Sequence, residues 1–181
     1  MPRKTDCLIT TEIANTIEAI LAAFPTMPMF EGFDLTQVRT IITQGKKAKD
    51  PLKVAKVYRN SYPRYIFDSY LYIIEVMEAN WNEMNQKQKN LAIFNALCAI
   101  PQNAFVEQSE NYAKLRRPDY SVFYEAYCAA GGVLDWIEDP KARDPLEVAK
   151  EKQTETGEDG ITRLPVLASD IGDVTLKVAT P

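Results

Sequence analysis

Apolar positions near the N-terminus follow the period of an amphipathic helix. Between Thr11 and Phe24 they recur every three or four residues, and Pro25 ends the run because proline cannot continue a helix. The next stretch, Thr26–Asp34, is rich in methionine, proline and phenylalanine, so we interpret it as an apolar loop that covers part of the core.

A second helix is predicted from Asn85 to Ile100. Asn85 with Gln88 three residues later is the signature of a capping box, and Pro101 stops the run. Apolar side chains at helical spacing indicate a core-facing side, made of Leu91, Phe94, Leu97 and Cys98.

Three segments between these helices have the composition of β-strands. Leu35–Thr43 has β-branched residues in near alternation, Lys53–Arg59 places Val54 and Lys56 on one face and Ala55 and Val57 on the other, and Tyr65–Met77 is rich in aromatic and β-branched residues. We expect a small sheet in sequential order, and therefore an α+β fold of a small sheet and three main helices.

The C-terminal third is predicted to hold one more helix and then little structure. The helix spans Leu115–Gly131 and ends at a glycine pair, after which Trp136 packs back on the core. Residues 139–162 contain several prolines and glycines, so we expect a weakly ordered linker, followed by an extended arm over 163–178; the tail 139–181 as a whole is acidic. The predicted domains are thus 1–138 and 139–181.

Composition adds limits on compartment and chemistry. The 181 residues suffice for one core, and no apolar run approaches the roughly 18 residues of a membrane span, so we expect a protein of the host cell cytoplasm. Three cysteines without close pairing favour reduced thiols. The chain contains no histidine, which excludes imidazole metal ligands and histidine general bases.

Charge is distributed unevenly along the chain. The formal net charge is −4, yet residues 39–64 contain eight basic residues and a single acidic one, whereas residues 138–181 contain ten acidic and six basic ones. A basic middle and an acidic tail point to a local interaction surface.

Three stretches carry a resemblance to a known family, namely DLTQVRTIITQGKKAKDPLKVAKVYR, YLYIIEVMEANWNEMNQKQKNLAIFNALCAI and LRRPDYSVFYEAYCAAGGVLDW. They resemble the putative phage metallopeptidase family, which is related to the SprT-like and Spartan-like zincins. That resemblance implies a zincin-like arrangement of the small sheet and the helices. It also implies a helix with two histidine ligands and a glutamate base, and a third histidine in a later segment. Here these positions are Asn95, Ala99, Ala96 and Pro118.

None of these four residues is a good zinc ligand or general base. We therefore expect a degenerate family member, a phage pseudoenzyme that is not an enzyme and needs no metal or other cofactor. A metallopeptidase with atypical ligands stays open as an alternative.

The basic middle of the chain interleaves cations with aromatic side chains. Single-stranded nucleic acid needs cations for its phosphates and flat rings for its bases, whereas the same composition also suits a solvated sheet edge. The candidate nucleic-acid-binding residues are Lys46, Lys47, Lys49, Lys53, Lys56, Tyr58, Arg59, Tyr62, Arg64, Tyr65, Arg116 and Arg117.

We expect the protein to bind single-stranded DNA and to assist phage transcription or replication, recruiting phage or host polymerase machinery. The alternative is a protein–protein interaction module that holds or inhibits a host or phage protein.

Overall fold

The computed structural model describes residues 7–9, 11–45, 47–60, 70–118 and 122–155. The four strands are β1 (Cys7–Ile9), β2 (Val38–Thr43), β3 (Ala55–Arg59) and β4 (Tyr72–Met77). The helices of these ranges are α1 (Thr11–Ala23), α2 (Glu78–Glu83), α3 (Gln86–Leu97), α4 (Tyr124–Ala129) and α5 (Pro145–Glu155). The predicted α+β class is confirmed, while its zincin-like arrangement stays a prediction.

The sheet is mixed, with the strand order β1-β2-β4-β3. β2 runs parallel to β4, with Val38 opposite Tyr72 and Thr43 opposite Met77. β3 pairs antiparallel with β4 and forms one edge, and β1 pairs antiparallel with β2 at the other. The expected sequential order is wrong, because β4 lies between β2 and β3.

Alternation along the strands gives the sheet two different faces. The inner face carries Val38, Tyr72, Ile74 and Val76, which are buried in the core cluster. Helices α1 and α3 contribute to the same cluster, through Ile17 among others. Residues of the opposite parity form the second face, which we call the outer face.

Helix α3 confirms the predicted central helix. Asn85 caps it: its side chain accepts a hydrogen bond from the backbone N–H of Gln88, and the Gln88 side chain accepts one from the Asn85 N–H, each at 2.9 Å. The core-facing positions predicted from spacing are fully buried, and Phe94 packs edge-to-face on Phe24 and Phe30. The apolar loop also covers the core as expected, since Met29 and Phe30 are buried.

The predicted C-terminal helix is shorter than expected. Among the residues of this range that the structure describes, only Tyr124–Ala129 is helical, and the chain from 114 to 118 has no regular structure. Pro118 disfavours helix in the residue before it, and Gly131 ends the helix with a φ of +79°. Trp136 is fully buried, as predicted.

The expected linker is wrong over residues 145–155, which form α5. Asp144 caps this helix by accepting the N–H of Leu146 at 2.9 Å, and the Asn90 amide on α3 donates to both Asp144 carboxylate oxygens. Val148 and Ala149 are buried where α5 contacts α1 and α3. The predicted arm lies outside the described residues, and the division at residue 138 stays a prediction.

Candidate functional site

The outer face of the sheet has one covered end and one open end. Thr43, Glu75 and Met77 are buried at the covered end. At the open end, the strand register places Arg39, Ile73 and Tyr58 side by side on neighbouring strands, and all three are partly or largely exposed. Side chains of three strands therefore share one accessible surface.

Tyr58 is an exposed tyrosine of edge strand β3. The residue is 43% exposed, and Glu75 lies near it on the same face, where it accepts a hydrogen bond from Thr43 Oγ1. Partial burial, together with the hydrogen-bonding and negative charge of Glu75, raises the pKa of Tyr58 to about 12. The hydroxyl is therefore protonated at neutral pH.

A second aromatic residue lies near the same row. The Arg39 guanidinium sits 4.7 Å from the centroid of the Tyr70 ring, within the range of a cation–π contact. The sequence prediction missed both residues as parts of a site. Arg39 could have been found from the alternation of side chains along the strands. It shares a face with Tyr58 once the register of β2, β4 and β3 is known.

The cations expected to contact nucleic acid fall into two groups. Lys47 pairs with Glu83 at 2.9 Å and Lys53 with Asp50 at 3.1 Å, so both already have acidic partners. Lys49, Lys56 and Arg59 are exposed and form no ion pair within the described ranges. Lys56 lies on the same face of the sheet as Tyr58, because the two residues are two positions apart on β3 and side chains alternate between the faces.

Four predicted contact residues lie outside the described residues, so the structure says nothing of them. They are Lys46, Tyr62, Arg64 and Tyr65.

The basic segment 114–117 lies beside the end of β3. The Tyr72 hydroxyl donates to the Lys114 carbonyl at 2.8 Å, and Tyr72 is the strand partner of Arg59. Burial raises the pKa of Tyr72 to about 12, with the Arg59 charge acting in the opposite direction. Lys114 and Arg117 are exposed. The Tyr72 contact places Lys114 on the inner side of the sheet, where Arg59 also lies by its parity, whereas Lys56 and Tyr58 are on the outer face. The sequence prediction missed Lys114.

Arg116 has a different environment from Arg117. Its guanidinium donates to Glu125 at 2.9 Å and lies 5.4 Å from the centroid of the Phe123 ring. This ion pair and its partial burial make Arg116 a poor candidate for a phosphate contact.

The positions that resemble the metal site do not fit a zinc ion. Asn95 accepts the backbone N–H of Phe123 at 3.0 Å, so its carbonyl already has a structural role. Ala96 and Ala99 have no donor atom, and Pro118 is exposed without a side-chain ligand. Across the described part of the chain, no three cysteine, aspartate or glutamate side chains are grouped as a metal site requires.

These features define an α+β domain with a central buried helix, α3, and a sheet that presents a basic, aromatic edge. Residues 8–143 match the model of a family described as "Putative phage metallopeptidase". The match covers well over half of the chain, so the protein belongs to this phage metallopeptidase family. Neither the comparison with curated proteins nor that with solved structures finds a match.

Family membership corrects one prediction from the sequence. We expected a protein that is not an enzyme, and the family description overturns this because it points to a peptidase. The resemblance itself is confirmed. Within the described ranges, no helix combines the length and apolar character needed to cross a membrane.

Proposed function

We propose that the protein binds single-stranded DNA on the open end of the outer face and along edge strand β3. The observation that carries the proposal is Tyr58, an exposed tyrosine on edge strand β3 that shares its face with the exposed Lys56 and precedes the exposed Arg59. Bases stack on such rings whatever their sequence, and the cations contact phosphates. The role in the host cell cytoplasm would be to assist phage transcription or replication by bringing DNA to polymerase machinery.

The cations best suited to phosphate contacts are those without an acidic partner. Lys49, Lys56 and Arg59 lie on or before β3, and Lys114 and Arg117 lie beside its end. Five contacts predict a slope of about −3.5 in log K against log salt for a single strand. This surface lies on side chains other than Asn95, Ala96 and Ala99, so the proposal does not depend on which residues carry a peptidase activity.

A fluorescence anisotropy titration with a labelled oligothymidylate tests the charge requirement. The triple variant Lys49→Gln, Lys56→Gln and Arg59→Gln should lower the salt slope by about 2. A matched triple variant on α5 and before it, at Lys141, Lys150 and Lys152, removes the same charge and should retain the slope. Absence of binding by the wild type at low salt, or equal slopes for both triple variants, would refute the proposal.

A tyrosine substitution tests the stacking requirement separately. Tyr58→Leu should weaken binding by about 5- to 150-fold, because stacking contributes about 1–3 kcal/mol per base. Tyr124→Leu is the control, since Tyr124 is also an exposed tyrosine, at 56%. Equal losses in the two variants would mean that Tyr58 has no special role.

A protein-binding function is the second candidate, favoured by a cleft beside the C-terminal end of α3. In that case a host or phage protein is captured from infected cells, and capture survives replacement of the β3 cations. Loss of capture together with loss of DNA binding would favour the nucleic-acid proposal.

A further inference from the structure

A cleft of about 440 Å³ opens near the C-terminal end of α3. One wall is apolar and consists of Met27, Pro28, Met29 and Pro101. Methionine side chains are flexible and polarisable, so such a wall adapts to a narrow apolar stem. The remaining lining is polar, and its hydrogen bonds indicate which ligand it suits.

In the side chains of Gln102 and Asn111, which line the cleft, the amide nitrogens donate hydrogen bonds within the protein, whereas the amide oxygens accept none from the described residues. Gln102 Nε2 donates to Glu31 Oε2, and Asn111 Nδ2 donates to the backbone carbonyl of Gln102, each at 3.1 Å. Glu125 contributes a third such acceptor, because its Oε2 is buried without a hydrogen-bond partner.

The ion pair in the cleft leaves one oxygen of its carboxylate unpaired. Arg116 Nη1 donates to Glu125 Oε1 at 2.9 Å and lies 3.5 Å from the Cys98 carbonyl, so the guanidinium is held by the protein itself. Glu31 adds a second carboxylate through its contact with Gln102. Two carboxylates and one guanidinium line or directly contact the cleft, while the exposed Lys114 and Arg117 add positive charge beside it. The preference for a cation therefore rests on the unpaired acceptors, since an anion would have to break the contacts of Arg116 with Glu125 and Cys98.

We infer that this cleft binds a lysine side chain of a partner protein. An ammonium group has three donors and no acceptor, which matches Glu125 and the amide oxygens of Gln102 and Asn111. A small rotation of the Glu125 carboxylate presents its unpaired oxygen to the ammonium while Arg116 holds the other. The methylene stem of the lysine lies along Met27 and Met29, as lysine stems do on apolar surfaces.

Two blocked tripeptides test this inference on the full chain. Acetyl-Gly-Lys-Gly-amide and its norleucine analogue, which has a similar stem without the charge, are titrated into ¹⁵N-labelled protein and followed by NMR. The lysine peptide should shift the amide signals of Gln102, Asn111 and Glu125 and bind about tenfold more tightly, the effect of one charge-assisted hydrogen bond. Equal affinity of the two peptides, no saturable shift, or shifts that map to another surface would overturn the inference.

Two substitutions make the test specific to the cleft. Glu125→Gln should abolish the preference for lysine over norleucine, whereas Glu18→Gln, an exposed glutamate on α1, should retain it. Because Glu125→Gln also removes the partner of Arg116, Met27→Lys provides a second variant. It brings a lysine of the chain itself to the cleft and should block the peptide, while Met27→Leu should not. Retained lysine binding in either Glu125→Gln or Met27→Lys contradicts the inference.

Discussion

Asn95, the position that the resemblance matches to a metal-ligating histidine, makes a structural hydrogen bond. Its side-chain oxygen accepts the N–H of Phe123, a residue only 5% exposed that directly precedes α4. Asn95→Ala removes the acceptor and leaves a buried donor unpaired, which costs about 1–3 kcal/mol. Taking about 2 kcal/mol, the thermal midpoint of a chain this size should fall by about 4–8 °C.

Urea unfolding followed by circular dichroism measures the change in the free energy of unfolding. Asn95→Asp keeps an oxygen acceptor at the same place, so it should recover most of the loss. Asn82→Ala removes an exposed amide on α2 and should stay within about 0.5 kcal/mol of the wild type. The reasoning fails if Asn95→Ala is as stable as the wild type, or if Asn95→Asp is as unstable as Asn95→Ala.

Three further predictions concern the core, pH and metal. Phe94→Ala should lower the free energy of unfolding by about 3–5 kcal/mol in urea, because Phe94 is fully buried between Phe24 and Phe30; a loss below about 1 kcal/mol would contradict the packing. The hydrogen bond from Lys89, opposed by burial, lowers the pKa of Glu12 below its usual value of 4.5. A lowered pKa stabilises the fold above pH 4.5 and loses this effect as pH falls, so stability should decline less in Glu12→Gln than in the wild type between about pH 5 and pH 3; parallel curves would refute this. Elemental analysis of the purified protein should find zinc well below one per chain, since the matched positions do not fit it, and stoichiometric zinc would locate its ligands elsewhere in the chain.

The sequence predicted helix boundaries well where residues close together in the chain determine them. The capping box of α3 is an example, because Asn85 and Gln88 act on each other within one turn. Helix α5 had similar signals in Asp144 and Pro145, an N-cap residue followed by proline at the first helical position. We gave more weight to the prolines and glycines around it and predicted a linker instead.

Pairings between distant residues were not predictable from the pattern. The alternation of apolar and polar residues in β2 and β4 does not indicate that these strands pair in parallel, or that β3 lies at the edge of the sheet beside β4. The open end of the outer face depends on this order, since Arg39 and Tyr58 become neighbours only through Ile73 of β4. The basic composition of this stretch is visible in the sequence. The sequence does not show which of its cations are paired, because partners such as Lys47 and Glu83 are distant in the chain.

The parallel pairing of β2 with β4 has an evolutionary consequence. All residues from 44 to 71, including edge strand β3 and most of the basic stretch, belong to one crossover between two strands that pair directly with each other. The hydrogen bonds between β2 and β4 come from outside the crossover, whereas β3 adds its own ladder to β4 and Val54 lies in the core. Substitutions at the exposed positions of the crossover should therefore leave the central pair in register, so its recognition properties can change while the same domain is kept.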